Sequence, residues 1–387
     1  MKRIFVTKQM KQFLQGAILL AFGALAFAPG SARASTASNT VITNTATVNY
    51  SDAGNTPQTA VTSSASVTVS LVPSAVLLSS PAAVTTSQGQ NTVLTYTVTD
   101  TANGPDTYNL GSVATPTNDS TVTPTFTSPI SLSGTTLASA TTVGSTTITV
   151  PYDNVASNAS INGLLPGNTV SIGGVTYLIA AAGISKSAGT NTATVTLTTA
   201  ISSVVAAGQI VGQQTTFTVT VPSGTVTSGS SGSQSVSTTV TSTTAPNPAT
   251  TQGTPTVIAV NRPTLTVVKV VSTNNGTSYS ASGSTAPPGT ALIYQIVASN
   301  TGTTSATSVA FTDALPPFLT YLAGSGKFAT STATAYSAAT ALTEGSGGYT
   351  ATTAAGVTTV AYAPGSPGTG TVAGSGVLVL YFKATIN

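Results

Sequence analysis

The run Thr92-Val93-Leu94-Thr95-Tyr96-Thr97-Val98-Thr99 places Leu94, Tyr96 and Val98 on one side of an extended chain and Thr95, Thr97 and Thr99 on the other. Side chains alternate across a strand, so this is the pattern of a strand with one face in a core and the other in water. The same period of two, rich in Val, Thr and Tyr, recurs at 41–50, 66–72, 146–150, 192–197, 216–221, 235–241, 264–271, 292–298 and 376–382. Gly, Pro, Asn or Ser bounds each run. No segment after residue 34 carries a convincing helical pattern. Short strands joined by turns, without crossover helices, predict an all-β fold of antiparallel sandwiches.

At 387 residues the chain has room for about two to three domains. It holds ten Lys or Arg, seven Asp or Glu, and no His, Cys or Trp. The usual metal ligands, the usual general base and the thiol nucleophile are therefore missing. Glu344 is the only Glu and sits in a Gly-rich stretch, the Asp residues are scattered, and no nucleophile lies beside a base. We expect no enzyme. A hydrophobic content of 40% with a low net charge predicts a chain that forms cores rather than a disordered one. Without cysteine, those cores take the place of the disulfides found in many exported proteins.

Residues 1–34 read as a secretory signal peptide. Lys2, Arg3, Lys8 and Lys11 precede an apolar stretch from Phe13 to Ala28, and Ala32-Arg33-Ala34 is an A-x-A cleavage signal. Cleavage before Ser35 leaves Lys186, Arg262, Lys269, Lys327 and Lys383 against seven acids, a mature charge near −2. So few cations form no basic patch, and nucleic acid is not an expected partner. No later stretch is long enough to span a bilayer as a helix. The expected destination is secretion, to the cell surface or the extracellular space.

Composition divides the mature chain. Residues 35–70 read as an N-terminal hairpin or donor strand and 71–242 as a first sandwich. Pro- and Thr-rich 243–261 reads as a linker, and 262–387 as a second sandwich. Within the first sandwich, 145–212 has turns of its own at Leu165-Pro166-Gly167-Asn168 and Gly173-Gly174, and reads as an inserted β subdomain. Leu94-x-Tyr96-x-Val98 and Leu292-x-Tyr294-x-Ile296, each followed by an Asn and Gly turn, suggest that the sandwiches are diverged repeats.

In the C-terminal part, Leu265-Thr-Val267-Val-Lys269, Pro288-Gly289, Tyr294-x-Ile296, Asn300-Thr301-Gly302, Val309-x-Phe311-Thr312-Asp313-x-Leu315-Pro316 and Phe318-x-Thr320-Tyr321 occur in this order. Together they resemble the conserved repeat domain of bacterial surface proteins, a domain-of-unknown-function family numbered eleven. The resemblance covers 262–387 well and the first sandwich loosely. It implies immunoglobulin-like sandwiches in tandem, in exported surface proteins without established catalysis. Members of that family commonly carry an Asn-Thr-Ala-Thr-Val strand after the run that here ends at Asn387. In this chain such a strand, Asn44 to Val48, lies at the opposite end. A sandwich short of that strand exposes an open edge, which a strand from another subunit can fill. The expected donor side chains are Val41, Thr43, Thr45, Thr47 and Tyr50, and the expected product is a head-to-tail homopolymer. The competing expectation is that 41–50 pairs within its own chain, as the first hairpin of the first sandwich.

Two polar clusters remain. Lys269 and Asp313 share parity with apolar neighbours and are expected to pair inside the sandwich. Asn300, on the parity of Tyr294 and Ile296, is the candidate partner for a Lys to Asn isopeptide with Asp313 as the acid, the alternative being a simple ion pair. Asp100, Asn103 and Asp106 gather oxygen ligands on one turn and form a weak calcium candidate. The competing reading is a turn held by local hydrogen bonds. The expected function is a structural, self-assembling filament or surface-layer subunit. The alternative is a monomeric adhesin or glycan-binding module with other surface proteins or glycans as partners.

Overall fold

The computed structural model describes residues 36–186, 190–365 and 370–387. The expected signal peptide lies outside the described residues. The chain is all-β, with antiparallel pairing throughout except that Val84–Ser87 runs parallel to Thr256–Asn261.

Alternation builds the first sandwich. Thr92–Thr99 pairs with Ile210–Val221 in a register that sets Tyr96 opposite Phe217, and the two rings stack with centroids 5.2 Å apart. The facing sheet runs in the order Val84–Ser87, Thr256–Asn261, Ser231–Ser242, Asp106–Thr117, Ile130–Leu132. Leu94, Tyr96, Val98, Val219, Val236 and Ile258 meet between the sheets. Each such side chain, fully buried, contributes roughly 1.5–3 kcal/mol.

Residues 243–261, expected as a linker, belong to this sandwich. Ala249–Thr251 and Thr256–Asn261 both pair with Ser231–Ser242, and Ile258 and Val260 enter the core. Gln252 is buried, accepts from the Tyr96 hydroxyl and the Thr238 N–H, and donates to the Thr254 carbonyl and the Thr256 hydroxyl. The second sandwich therefore follows after only 262–264. At that passage the Arg262 guanidinium group donates to the carbonyls of Val226 and Gly229.

The insert packs a core of its own, from Leu137 to Val211, around Ile148, Ile161, Val170, Ile179 and Val195. It begins a few residues earlier than expected and is joined through a shared strand. Strand Ile210–Val221 pairs with Thr169–Ile172 of the insert at one end and with Thr92–Thr99 at the other. Gly212 sits where this strand crosses the Asp100 carbonyl, which a Cβ would strike.

The C-terminal sandwich sets one sheet, in the order Leu265–Ser272, Ala291–Asn300, Val377–Ile386, Lys327–Ala329, Thr340–Ala341, against another of Phe311–Ala314, Val357–Tyr362 and Tyr349–Ala354. Ile296, Phe311, Tyr349, Val360, Leu380 and Phe382 fill the space between them.

Candidate functional site

Residues 36–72 form a projecting hairpin. Val41–Val48 pairs with Val61–Thr68 from Val41 opposite Thr68 to Val48 opposite Val61, and neither strand pairs with a sandwich. All the residues of both strands are exposed. The register sorts most of them by face. Ile42, Ala46 and Val48 share a face with Val67, Ala65 and Val61, interrupted by Asn44 and Ser63, and the opposite face carries Thr43, Thr45 and Thr47 against Ser66, Ser64 and Thr62. Exposed Tyr50 follows on the parity of the apolar face. The expected donor residues Val41, Thr43, Thr45 and Thr47 therefore lie on the hydroxyl face, where Thr45 bonds Ser64 at 2.8 Å. The strand pairs within its own chain, but as an arm rather than as part of the first sandwich.

The arm is fixed at its base by Asn103. Its Oδ1 accepts from the Val72 N–H, its Nδ2 donates to the carbonyls of Thr36 and Ser70, and its own carbonyl accepts from the Ser38 N–H. Ala37 and Ser38 are buried there, and Gly104 leaves room for Ser38 that a Cβ would take away.

The residues of the calcium candidate are thus employed otherwise. While Asn103 ties down the arm, Asp106 accepts from the hydroxyls of Ser242 at 2.6 Å and Thr244 at 2.8 Å. Asp100 is buried and accepts from the Tyr108 hydroxyl at 2.8 Å and the Ala102 N–H at 3.0 Å. Its Oδ2 has no hydrogen-bond partner among the described residues. Burial, reinforced by the charge of Asp106, pushes the Asp100 carboxyl up to about 6 against the hydrogen bonds that lower it. Among the described residues no group of three His, Cys, Asp or Glu is placed to hold a metal.

Lys269 and Asp313 do pair, at 2.6 Å, but at the rim and not inside the sandwich: the Lys269 side chain is 44% exposed and that of Asp313 9%, with the ammonium 5.0 Å from the centre of the Tyr294 ring. Asn300 does not join them. It stands opposite Leu265, whereas Lys269 stands opposite Ile296, four residues or about 13 Å along the strand. The Asn300 amide instead donates to the carbonyls of Thr304, Val372 and Ala373 and accepts from the N–H groups of Thr264 and Gly302. The isopeptide trio is not assembled. The intact mass of a chain of residues 35–387 is accordingly expected to match its sequence, and loss of one ammonia would contradict this geometry.

A second pair is not visible in the sequence pattern. Lys186 Nζ lies 2.7 Å from Asp153 Oδ1, with the side chains only 2% and 6% exposed. Lys186 follows buried Ile184 at the same parity, which is the one available signal, but nothing local points to Asp153.

No family model matches the chain, and no curated protein matches it. Among solved structures it is similar to one described as a putative membrane anchored protein from Corynebacterium diphtheriae. The identity is 10%, over 89% of this chain and 88% of that one, with a TM-score of 0.20. Among the described residues no helix is long and apolar enough to cross a membrane.

Proposed function

We propose that the chain is an exported structural subunit of the cell surface or extracellular space, built of immunoglobulin-like sandwiches, that joins copies of itself head to tail by strand addition. The observation that carries this reading is the arm at 41–68, whose Ile42, Val48, Val61 and Val67 side chains enter none of the hydrophobic cores among the described residues. A two-stranded hairpin is marginal in water by itself. This one leaves Ile42, Val48, Val61 and Val67 at least half exposed. Those side chains are already about half covered, so burying what remains of the four is worth roughly 3–7 kcal/mol, against an association cost of roughly 4–15 kcal/mol. Apolar burial alone falls at or below that cost, so assembly draws on ladder hydrogen bonds as well and depends on concentration. The arm's strands carry no charge of the kind that normally guards an exposed edge.

The test is light scattering and negative-stain microscopy of the mature chain, 35–387, over a range of concentrations. Regular polymers that grow with concentration and vanish when 41–68 is replaced by a short Gly-Ser turn are the expected result. A monomer at every concentration would overturn the proposal in favour of a ligand-binding surface module.

A further inference from the structure

The C-terminal sandwich is open along one flank. Its larger sheet is five strand positions wide and faces a sheet of three. The far side is closed: the Tyr349 hydroxyl meets that of Tyr321 at 2.8 Å, and Phe328 packs on Tyr362. On the near side, Leu265, Val267 and Lys269 point toward the space between the sheets, because they stand opposite Asn300, Ala298 and Ile296, and Ile296 and Ala298 are core residues. Lys269 reaches Asp313 on the edge strand Phe311–Ala314. Leu265 and Val267, next along the same face, have no facing strand among the described residues and are 42% and 66% exposed.

Among the described residues the backbone on this flank is also unpaired. The Leu315 N–H bonds the Thr358 carbonyl, so the alternation of an antiparallel ladder turns the N–H and C=O of Phe311 and Asp313 toward Val357–Tyr362. Those of Thr312 and Ala314 point outward. By the same alternation, the Thr264 carbonyl bonding the Thr301 N–H leaves Leu265, Val267 and Lys269 with outward-facing backbone groups. A lysine on an edge strand normally deters pairing, but the Lys269 ammonium is already held by Asp313. A cavity of about 850 Å³ between Pro263, Leu265 and Thr303–Thr307 opens beside this flank.

We propose that this flank is the acceptor for the arm of a second copy of the chain. One arm strand pairs with the outward groups of Thr312 and Ala314, and the Ile42, Val48, Val61 and Val67 face closes over Leu265 and Val267. This rests on the assembly reading above and deepens it. The occupant is fixed by complementarity. The arm is amphipathic, uncharged along both strands with Asp52 confined to its tip, and already a folded two-stranded sheet, and the flank lacks a facing strand among the described residues, is apolar toward the core, and has its lysine neutralised. Polarity agrees. The arm is anchored at Asn103, past the C-terminal end of Thr92–Thr99, whereas the passage to the second sandwich lies by Gln88 at the other end, where the Gln88 N–H bonds the Asn261 carbonyl. The strand between them is about 27 Å long. Donor and acceptor therefore sit at opposite poles, and the contact is heterologous and propagates head to tail.

The experiment uses full mature chains with one exposed residue changed in each: Val48→Glu in the arm, Val267→Glu on the flank, and Val113→Glu on the first sandwich as a control for added charge. All three sites are more than half exposed, so each variant is expected to keep the parent's unfolding midpoint. Val48→Glu and Val267→Glu alone are expected to stay monomeric. Their equimolar mixture is expected to double in mass to a heterodimer and stop there, because one partner supplies the only working arm and the other the only working flank. Val113→Glu assembles like the parent. If Val267→Glu polymerises while Val48→Glu does not, the flank assignment is overturned and the assembly reading stands. The flank assignment falls in the same way if both variants are monomeric but fail to pair, or if Val113→Glu also blocks assembly. A parent that never assembles, or a Val48→Glu chain that polymerises as well as the parent, overturns this inference together with the reading beneath it.

Discussion

Replacing Asp153 by alanine is expected to destabilise the insert by about 3–5 kcal/mol. The substitution leaves the Lys186 ammonium inside the protein with the Val155 carbonyl at 3.0 Å and the Tyr152 ring 5.9 Å away, neither of which offsets a full charge. It also removes the acceptor of the Asn162 N–H. An uncompensated buried charge is the large part of that cost, so taking away the charge as well should restore stability. The double variant Asp153→Ala with Lys186→Met is therefore expected to be more stable than Asp153→Ala alone, although it departs further from the parent. Urea unfolding gives the order of stabilities, and amide exchange locates the damage. The effect is expected in 137–211, with 92–99 protected as before, because the insert has a core separate from that of the first sandwich. A double variant less stable than the single would mean that lost packing, and not the stranded ammonium, dominates.

The places where the sequence can and cannot be read follow from what a period of two encodes. It encodes a face. Leu94, Tyr96 and Val98 are legible as core because their alternation is unambiguous, and they do line the core against Phe217 and Val219. The period does not encode height along a strand. Lys269, Asn300 and Asp313 fall on the inter-sheet side as their parity predicts, but the pairing of Leu265 with Asn300 sets the amide four residues from the ammonium. It also fails where two parities look alike. In 41–50 the Val and Thr parity reads as the donor face, yet the ladder partners Val67, Ala65 and Val61 make the Ile42, Ala46 and Val48 side the apolar one. Composition misleads at 243–261, where Pro and Thr suggest an extended linker. The alternation Thr256, Ile258, Val260 is a buried strand, and its hydroxyl is satisfied by Gln252, a partner that no local pattern announces. The bond between Lys186 and Asp153 closes 33 residues of chain and exists only once the insert has folded.

Folding stability is expected to fall by about 2.4 kcal/mol as pH rises from 4 to 8 through the contribution of Asp100 alone. Its carboxyl lies at about 6 in the folded chain against 3.8 for the free side chain, mainly because it is buried. Between those values the folded chain holds a proton that the unfolded chain has released. The stabilisation is thus complete below about pH 3.8 and is lost as pH rises through about 6. The geometry agrees, since Oδ1 accepts two hydrogen bonds while Oδ2 is buried with no donor to stabilise a negative charge on that side. Tyr108 keeps its proton throughout, because burial and the neighbouring Asp100 charge raise its hydroxyl far above the ordinary value. Asp100→Asn mimics the protonated acid at every pH. Urea unfolding of parent and variant is expected to give similar stabilities at pH 4, with the variant ahead by about 2.4 kcal/mol at pH 8. Parallel curves would mean that the folded chain holds the carboxylate charged without penalty.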